Sequence, residues 1–256
     1  MSYLLYCVFG EPPQPSLEIP SRVGGRQVFV VAQNGLSAVL SELGEAGVEC
    51  DVSGILEYDS IVEAFDRHLT VIPVRYGCFF EGLSDAVASL ERRHDEYVSL
   101  LQRLAGMREM AIHVLPDRPN DKSDAGLKVT SPESAPIFCN TGADYLAARR
   151  RYYLALDRAA LDRRLLIEEV CESLSGFYLR RNVRFPDSAG GRLLSTYFLV
   201  PRELVENFRR AARALRLRDG SKLLLSGPWP PYNFVEDPLQ SAGDQAPSNQ
   251  CTHAME

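Results

Sequence analysis

The groups in this chain that could do chemistry are few and widely spaced. Its four histidines are His68, His94, His113 and His253. Metal ligation, or the pairing of a base with a nucleophile, needs two such groups at a motif spacing. Here His94 falls on the apolar stripe of a helical pattern, His68 near the end of another, His113 inside a strand pattern and His253 in a polar tail. The six cysteines, Cys7, Cys50, Cys78, Cys139, Cys171 and Cys251, include no C-x-x-C pair and have no histidine at ligand spacing. They read as reduced thiols in a reducing compartment rather than as a zinc site. No glycine-rich phosphate loop, no G-x-S-x-G and no dinucleotide-binding fingerprint occurs, and the adjacent acids Asp95-Glu96 and Glu168-Glu169 fit solvated helix faces. No catalytic residue, no metal and no cofactor is expected from these groups.

Two features carry more information. Arg75 lies in Pro73-Val-Arg-Tyr-Gly77, inside an apolar strand pattern flanked by Cys78, Phe79 and Phe80. A guanidinium there needs an acid of its own domain or an interface partner. The second is Gly227-Pro-Trp-Pro-Pro-Tyr-Asn-Phe-Val235, which holds the single Trp and three prolines directly after an apolar run. Pro228, Pro230 and Pro231 each fix φ and remove a backbone donor, so the segment cannot lie in a helix or a central strand. A stiff, extended path presents Trp229, Tyr232 and Phe234 at low entropic cost, for sealing a domain edge or docking a partner. The ordinary reading is an edge strand that closes its own domain's core. The P-x-x-P match from Pro228 to Pro231 is weak as a ligand for a small recognition domain.

The elements that must position these residues fall into two groups. The 256 residues can hold two modest domains, and 45% hydrophobic with 24% charged residues is ordinary for a globular chain. The charge divides unevenly. Residues 1–140 hold 11 Lys and Arg against 20 Asp and Glu, residues 141–218 hold 16 Arg against 9 acids, and residues 219–256 hold 1 against 5. Opposite signs favour two units that attract each other. No apolar stretch approaches the roughly 20 residues that span a bilayer, and Met1-Ser-Tyr-Leu-Leu-Tyr-Cys7 lacks the basic flank of a signal peptide. A cytoplasmic protein with no membrane partner is expected.

Tyr3 to Phe9 predicts a strand, and Pro12, Pro13, Pro15 and Pro20 an irregular connection. Val28 to Gln33 and Leu36 to Leu40 flank Asn34-Gly35, a type I′ hairpin signal. Asp59 is placed to cap a helix with Ile61, Phe65 and Leu69 on one face, followed by the strand Val71 to Phe80. From Ser84, the spacing of Val87, Leu90, His94, Tyr97, Leu101 and Leu104 predicts one helix, and Met110 to Leu115 a strand that completes the sheet. The expected fold is α+β in two domains: a modified ferredoxin-like sheet with helices on one face over residues 1–116, then a smaller α+β domain over 140–235. Residues 117–139 read as a flexible acidic, proline-rich loop, and 236–256 as a disordered tail.

In the second domain, Thr141 or Gly142 opens a long helix with Leu146, Tyr153, Leu156, Ala160, Ile167, Val170 and Leu174 on one stripe, flanked by Arg149, Arg150, Arg151, Arg158, Arg163 and Arg164 and stopped by Gly176. Tyr178 to Phe185 pairs with Leu193 to Val200 across a Pro186 to Gly191 turn, Pro201 begins a helix bearing Leu204, Val205, Phe208, Ala212 and Leu215, and Lys222 to Ser226 is a last strand. The arginine-rich helix raises the question of nucleic acid. The acidic first domain and the absence of aromatic-basic interleaving on the strands argue against it.

Taken together, Ile72-Pro-Val-Arg-Tyr-Gly77 and Ser226-Gly-Pro-Trp-Pro-Pro-Tyr-Asn-Phe-Val235 resemble the gas vesicle protein F/L (GvpF/GvpL) family, over residues 1 to about 235. Supporting segments are the first strand from Tyr3, the hairpin ending in Ser-Ala-Val-Leu40, and Gly142-Ala-Asp-Tyr-Leu146 leading the long helix. The chain departs at Tyr76, Cys78 and Tyr58, where the family more often has Phe, Thr and His. The resemblance implies a non-enzymatic accessory component of gas vesicles that binds the small hydrophobic shell-forming protein, gas vesicle protein A (GvpA), during assembly. Candidate contact residues are Arg75, Phe79, Trp229, Tyr232 and Phe234, on an interdomain surface. One alternative is a scaffold that binds other gas vesicle accessory proteins through the arginine-rich helix. The other is a small-molecule enzyme in which Arg75 holds an anionic substrate.

Overall fold

A computed structural model of the chain describes residues 1–10, 22–23, 26–43, 51–115, 142–185, 193–217 and 221–235. The expected connection through Pro12 to Pro20, the 117–139 loop, the Pro186 to Gly191 turn and the 236–256 tail lie outside the described residues. The fold is α+β, built on two antiparallel sheets.

The first sheet has the order β4-β5-β1-β6, from β1 (Tyr3–Gly10), β4 (Phe29–Gln33), β5 (Leu36–Glu42) and β6 (Val71–Pro73), with β7 (Phe79–Phe80) also paired to β1. A two-stranded ribbon, β2 (Arg22–Val23) with β3 (Arg26–Gln27), precedes β4. The β4–β5 hairpin turns at Asn34 and Gly35, with φ of 49° and 78°, as a type I′ turn requires.

Strand β1 is apolar at consecutive positions and buried on both faces. A bulge between Leu5 and Cys7 puts Tyr6 and Cys7 on the same side. Leu4, Tyr6 and Phe9 meet Tyr58, Ile61, Val62 and Phe65 of α1 (Val52–Asp66). On the opposite face, Leu5 and Val8 meet Ala86 and Leu90 of α2 (Leu83–Arg92) and Tyr97, Leu100 and Leu104 of α3 (His94–Leu104). Helices therefore cover both faces, not one, because a strand without polar alternation needs cover on each side.

Two helix expectations are corrected in the same way. Asp51 caps α1, its Oδ1 accepting from the Gly54 amide at 2.8 Å, and Asp59 sits inside the helix. The segment from Ser84 is two helices, broken at Arg93 (φ −112°, ψ 18°). Arg93 donates to Glu96 at 2.8 Å and lies over the Tyr97 ring, and His94 faces outward instead of joining the core.

The second sheet has the order β11-β8-β10-β9, from β8 (Met107–Leu115), β9 (Arg180–Arg184), β10 (Leu194–Pro201) and β11 (Lys222–Trp229). The strand containing Met110 to Leu115 thus does not complete the first sheet. After α3, Gly106 takes φ of 70°, the chain turns away, and β8 becomes an inner strand of the second sheet. Met110, Ile112 and Val114 of β8 and Phe198 and Val200 of β10 pack under α4 (Gly142–Ser173) and α5 (Val205–Ala214). Gly176, with φ of 89°, follows the end of α4.

A buried ion pair ties the two sheets. The Asp66 carboxylate at the end of α1 meets the Arg108 guanidinium of β8, with side chains 9% and 10% exposed. Arg108 also donates to the Asp66 carbonyl at 2.6 Å, and the Arg202 amide donates to the Gly106 carbonyl at 2.8 Å. Burial pushes the Asp66 carboxyl above its ordinary pKa against the opposing pull of Arg108. Asp66→Ala leaves a buried cation unpaired and is expected to cost about 3 kcal/mol or more in urea unfolding, whereas Asp66→Leu/Arg108→Leu together cost less. A loss below about 1 kcal/mol for the single change would show that water already solvates the pair.

Candidate partner-binding surface

The Gly227–Val235 segment is positioned residue by residue. At the end of β11 the register against β8 shifts between Ser226 and Trp229. Gly227 sits at φ 103° before a cis Gly227–Pro228 bond, and a Cβ there would lie 2.7 Å from the Glu109 carbonyl oxygen, so only glycine fits. Arg209 of α5 donates to the Gly227 carbonyl at 2.8 Å. Past the buried Pro230, a 3₁₀ turn, Tyr232–Phe234, runs against the first sheet.

Within that turn the side chains diverge. Tyr232 joins the α1-side cluster and its hydroxyl donates to Asp59 Oδ1 at 3.3 Å. Phe234 and Val235 are buried in the cluster on the α2–α3 side, with Leu199 of β10. Asn233 donates its amide to Glu109 Oε2 at 2.8 Å and its Nδ2 to Glu109 Oε1 at 2.7 Å, while its carbonyl accepts from Asn182 Nδ2 at 3.0 Å. The segment is therefore clamped between the two sheets. Tyr232 and Phe234 are turned inward, and Trp229 remains 37% exposed opposite Glu109.

Arg75 is exposed in the connection after β6, which ends at Pro73, so the expected position inside a strand is corrected. Gly77 at φ 94° reverses the chain into β7, where the half-buried Phe79 pairs with Leu4. The neighbouring Tyr76 packs edge-on against Tyr58, 5.1 Å between centroids. The Tyr58 hydroxyl lies 2.8 Å from the carbonyls of Leu5 and Val74, where β1 and β6 separate. Burial pushes the Tyr58 and Tyr232 hydroxyls well above their ordinary pKa, so both stay neutral. Of the five candidate residues, then, Arg75, Phe79 and Trp229 reach the surface to differing degrees, and Tyr232 and Phe234 hold the segment in place.

Glu109 is the residue that sequence reasoning missed, and Asp59, read as a helix cap, is instead the acceptor for the Tyr232 hydroxyl. The available signal for Glu109 was the charged pair Arg108-Glu109 at the start of a strand that is mostly apolar after it. The structure also brings His113 Nδ1 within 2.9 Å of Ser195 Oγ across β8 and β10, with the Tyr197 ring edge-on. Among the described residues no carboxylate bonds the other nitrogen of that ring, and no group of acids, histidines and cysteines could hold a metal. Cys7, Cys78 and Cys171 are thiols, and no described helix is long and apolar enough to cross a membrane.

Fold and site define a protein of two packed antiparallel sheets, sealed by an aromatic segment and showing no catalytic constellation among its described residues. The sequence profile described as gas vesicle synthesis protein GvpL/GvpF matches residues 2–236, and the chain belongs to that family. It is 24% identical over 239 residues to gas vesicle protein F of Streptomyces sp. (strain CB03234), covering 89% of this chain and 90% of the relative. It is 26% identical to gas vesicle protein L of the same strain over 186 residues, 70% of this chain and 67% of the relative. The crystal structure of GvpF from Anabaena sp. PCC7120 superposes with a TM-score of 0.71 at 15% identity, covering 92% of this chain and 96% of that one. GvpF from Microcystis aeruginosa gives 0.67, also at 15% identity, over 91% and 98%. Family membership gives the chain a role in gas vesicle formation, in a family of accessory proteins rather than known enzymes.

Two measurements check the site. Phe234→Ala is expected to lower stability by about 3 kcal/mol, and Trp229→Ala by about 1 kcal/mol or less, in parallel urea titrations. The Glu109 carboxyl is pushed up to about 7, chiefly by burial and against the hydrogen bonds from Asn233. A carboxyl raised in the folded state binds its proton more tightly there than in the unfolded chain. Its contribution to stability therefore grows as pH falls from about 8 to about 5, and is lost as pH rises through 7. Glu109→Gln should flatten that dependence by up to roughly 3 kcal/mol, read as the difference between variant and parent unfolding curves at the two pH values. Equal slopes would mean that the carboxylate is solvated.

Proposed function

We propose that this protein is an assembly factor that holds the small hydrophobic shell protein, gas vesicle protein A, in the cytoplasm before it polymerises. A shell subunit with a strongly apolar face needs a partner that covers it until it joins the wall. The observation that carries the reading is Trp229, an indole 37% exposed on a backbone fixed at both ends. On one side Gly227 is held by Arg209, and on the other Asn233 is held by Glu109. A large aromatic on a rigid segment binds without an ordering cost and is the residue type that dominates interface energetics. Arg75 and Phe79 are the first-sheet contributions.

The test is retention of co-expressed gas vesicle protein A on the tagged full-length chain at low and high salt. Retention is expected to survive high salt and to fall at least about tenfold with Trp229→Ala, a change of about 1.4 kcal/mol, while the melting temperature holds. Unchanged retention in a folded Trp229→Ala variant would remove Trp229 from the contact.

A further inference from the structure

His94 begins α3, and both nitrogens of its ring are engaged although the side chain is 37% exposed. Nδ1 lies 3.0 Å from Asp95 Oδ1, and Nε2 lies 3.1 Å from the carbonyl oxygen of Asn34, 60 positions earlier in the chain. Asn34 is at the tip of the β4–β5 hairpin, where φ of 49° in the type I′ turn sets the direction of that carbonyl. One ring therefore bridges the outermost strand of the first sheet to the corner between α2 and α3. A second tie runs beside it, from Gln33 Nε2 to Glu91 Oε1 of α2.

Both groups that the ring meets are acceptors. A carbonyl oxygen and an ionised carboxylate have no proton to give, and a neutral imidazole carries an N–H on only one of its nitrogens. In that form one of the two contacts sets a lone pair against a lone pair. The imidazolium, with a proton on each nitrogen, completes both. A cation at the start of a helix is opposed by the backbone dipole, and the acids of the first turn, Asp95 and Glu96, offset that opposition. The described charged groups on the elements around the ring are Glu91 and Arg92 of α2, Arg93 at the break, and Asp95 and Glu96 of α3. Arg93 donates to Glu96, and the β4–β5 turn brings only the uncharged Gln33 and Asn34.

We propose that His94 is a proton-operated latch, which as imidazolium fastens the β4–β5 turn to the α2–α3 corner and on losing a proton leaves the turn tethered through Gln33 alone. Phe29, at the far end of β4, stays packed edge-on against Tyr3, so the opening is confined to the tip. The hydrogen bonds, that to Asp95 first, raise the His94 pKa above its ordinary 6.5. The closed latch thus holds its proton more tightly than the open one. Closure is complete below about 6.5 and is lost as pH rises through the midpoint of the folded protein. Acidification braces the edge of the first sheet, and alkaline pH loosens it.

The test is a nuclear magnetic resonance titration of the full-length chain from about pH 5 to about pH 8.5. The His94 ring nitrogens should both be protonated at the acid end, with a midpoint above about 6.5. The Gly35 amide nitrogen, whose peptide bond carries the Asn34 carbonyl, should shift with the same midpoint, and its order parameter should fall on the alkaline side. Each unit by which the midpoint is raised is a tenfold change in the closing equilibrium. Asp95→Asn should lower the His94 and Gly35 midpoints together, and His94→Gln should abolish the Gly35 titration. His113→Gln, on the second sheet, should leave it in place. Two results would each overturn the proposal: a Gly35 signal that stays flat while His94 titrates, or a His94 midpoint at or below about 6.5, the value of a histidine in an unfolded chain.

Discussion

A carboxylate hidden at the end of a helix has to be met by a cation, and here the cation comes from the other sheet. Asp66 closes α1, and Arg108, one residue into β8, reaches both its carboxylate and its carbonyl. Removing two charges from water is repaid only when the geometry satisfies both. That requirement fixes how α1 lies against the second sheet. Because successive strand residues point to opposite faces, the next residue, Glu109, faces away from Arg108 and holds Asn233. Two neighbouring residues of one strand thus secure the first sheet and the carboxy-terminal segment.

From that joint the remaining parts follow. With β8 committed to the second sheet, the first sheet ends at β6 and β7, and the Tyr58 hydroxyl reaches the Leu5 and Val74 carbonyls in the gap where β1 and β6 separate. The 3₁₀ turn at Tyr232 then sits between the α1-side cluster and the α2–α3 cluster. Prolines at positions 228, 230 and 231 leave few backbone donors to satisfy in this sealed region, which suits a segment squeezed between two sheets. Trp229 stays outside because the bulge before it turns the end of β11 away from the core.

Much of this was legible in the chain. Asn34-Gly35 fixes its hairpin through backbone conformation alone, and the stop of α4 near Gly176 is equally local. The pairing of β9 with β10 follows from short sequence separation. The misplaced features share one physical cause: periodicity reports which face of an element is apolar, not which element covers it. Met110, Ile112 and Val114 alternate correctly for a strand in either sheet. Asp51 and Asp59 both precede apolar positions, and only the hydrogen bond to Gly54 separates cap from helix interior. In the site, the proline-aromatic motif identified the segment. The inward turn of Tyr232 depends on Asp59, 173 residues away in sequence, and that of Phe234 on Leu199, which no local pattern reports.

The composition of the described residues on the Ile167 and Val170 side of α4 before Leu166 bears on how they meet water. A continuous leucine stripe there would invite nonspecific association. Tyrosine gives nearly the same contact area with a hydroxyl that water or Arg149 can satisfy, and arginine keeps its charge hydrated while its stem lies along the helix. Tyrosine and arginine are the side chains enriched where a surface must be wettable when free and well packed when bound. The buried end of the same stripe, Ile167, Val170 and Leu174, is purely aliphatic. The change from aliphatic to tyrosine and arginine along one line of one helix follows the change from buried to exposed side chains.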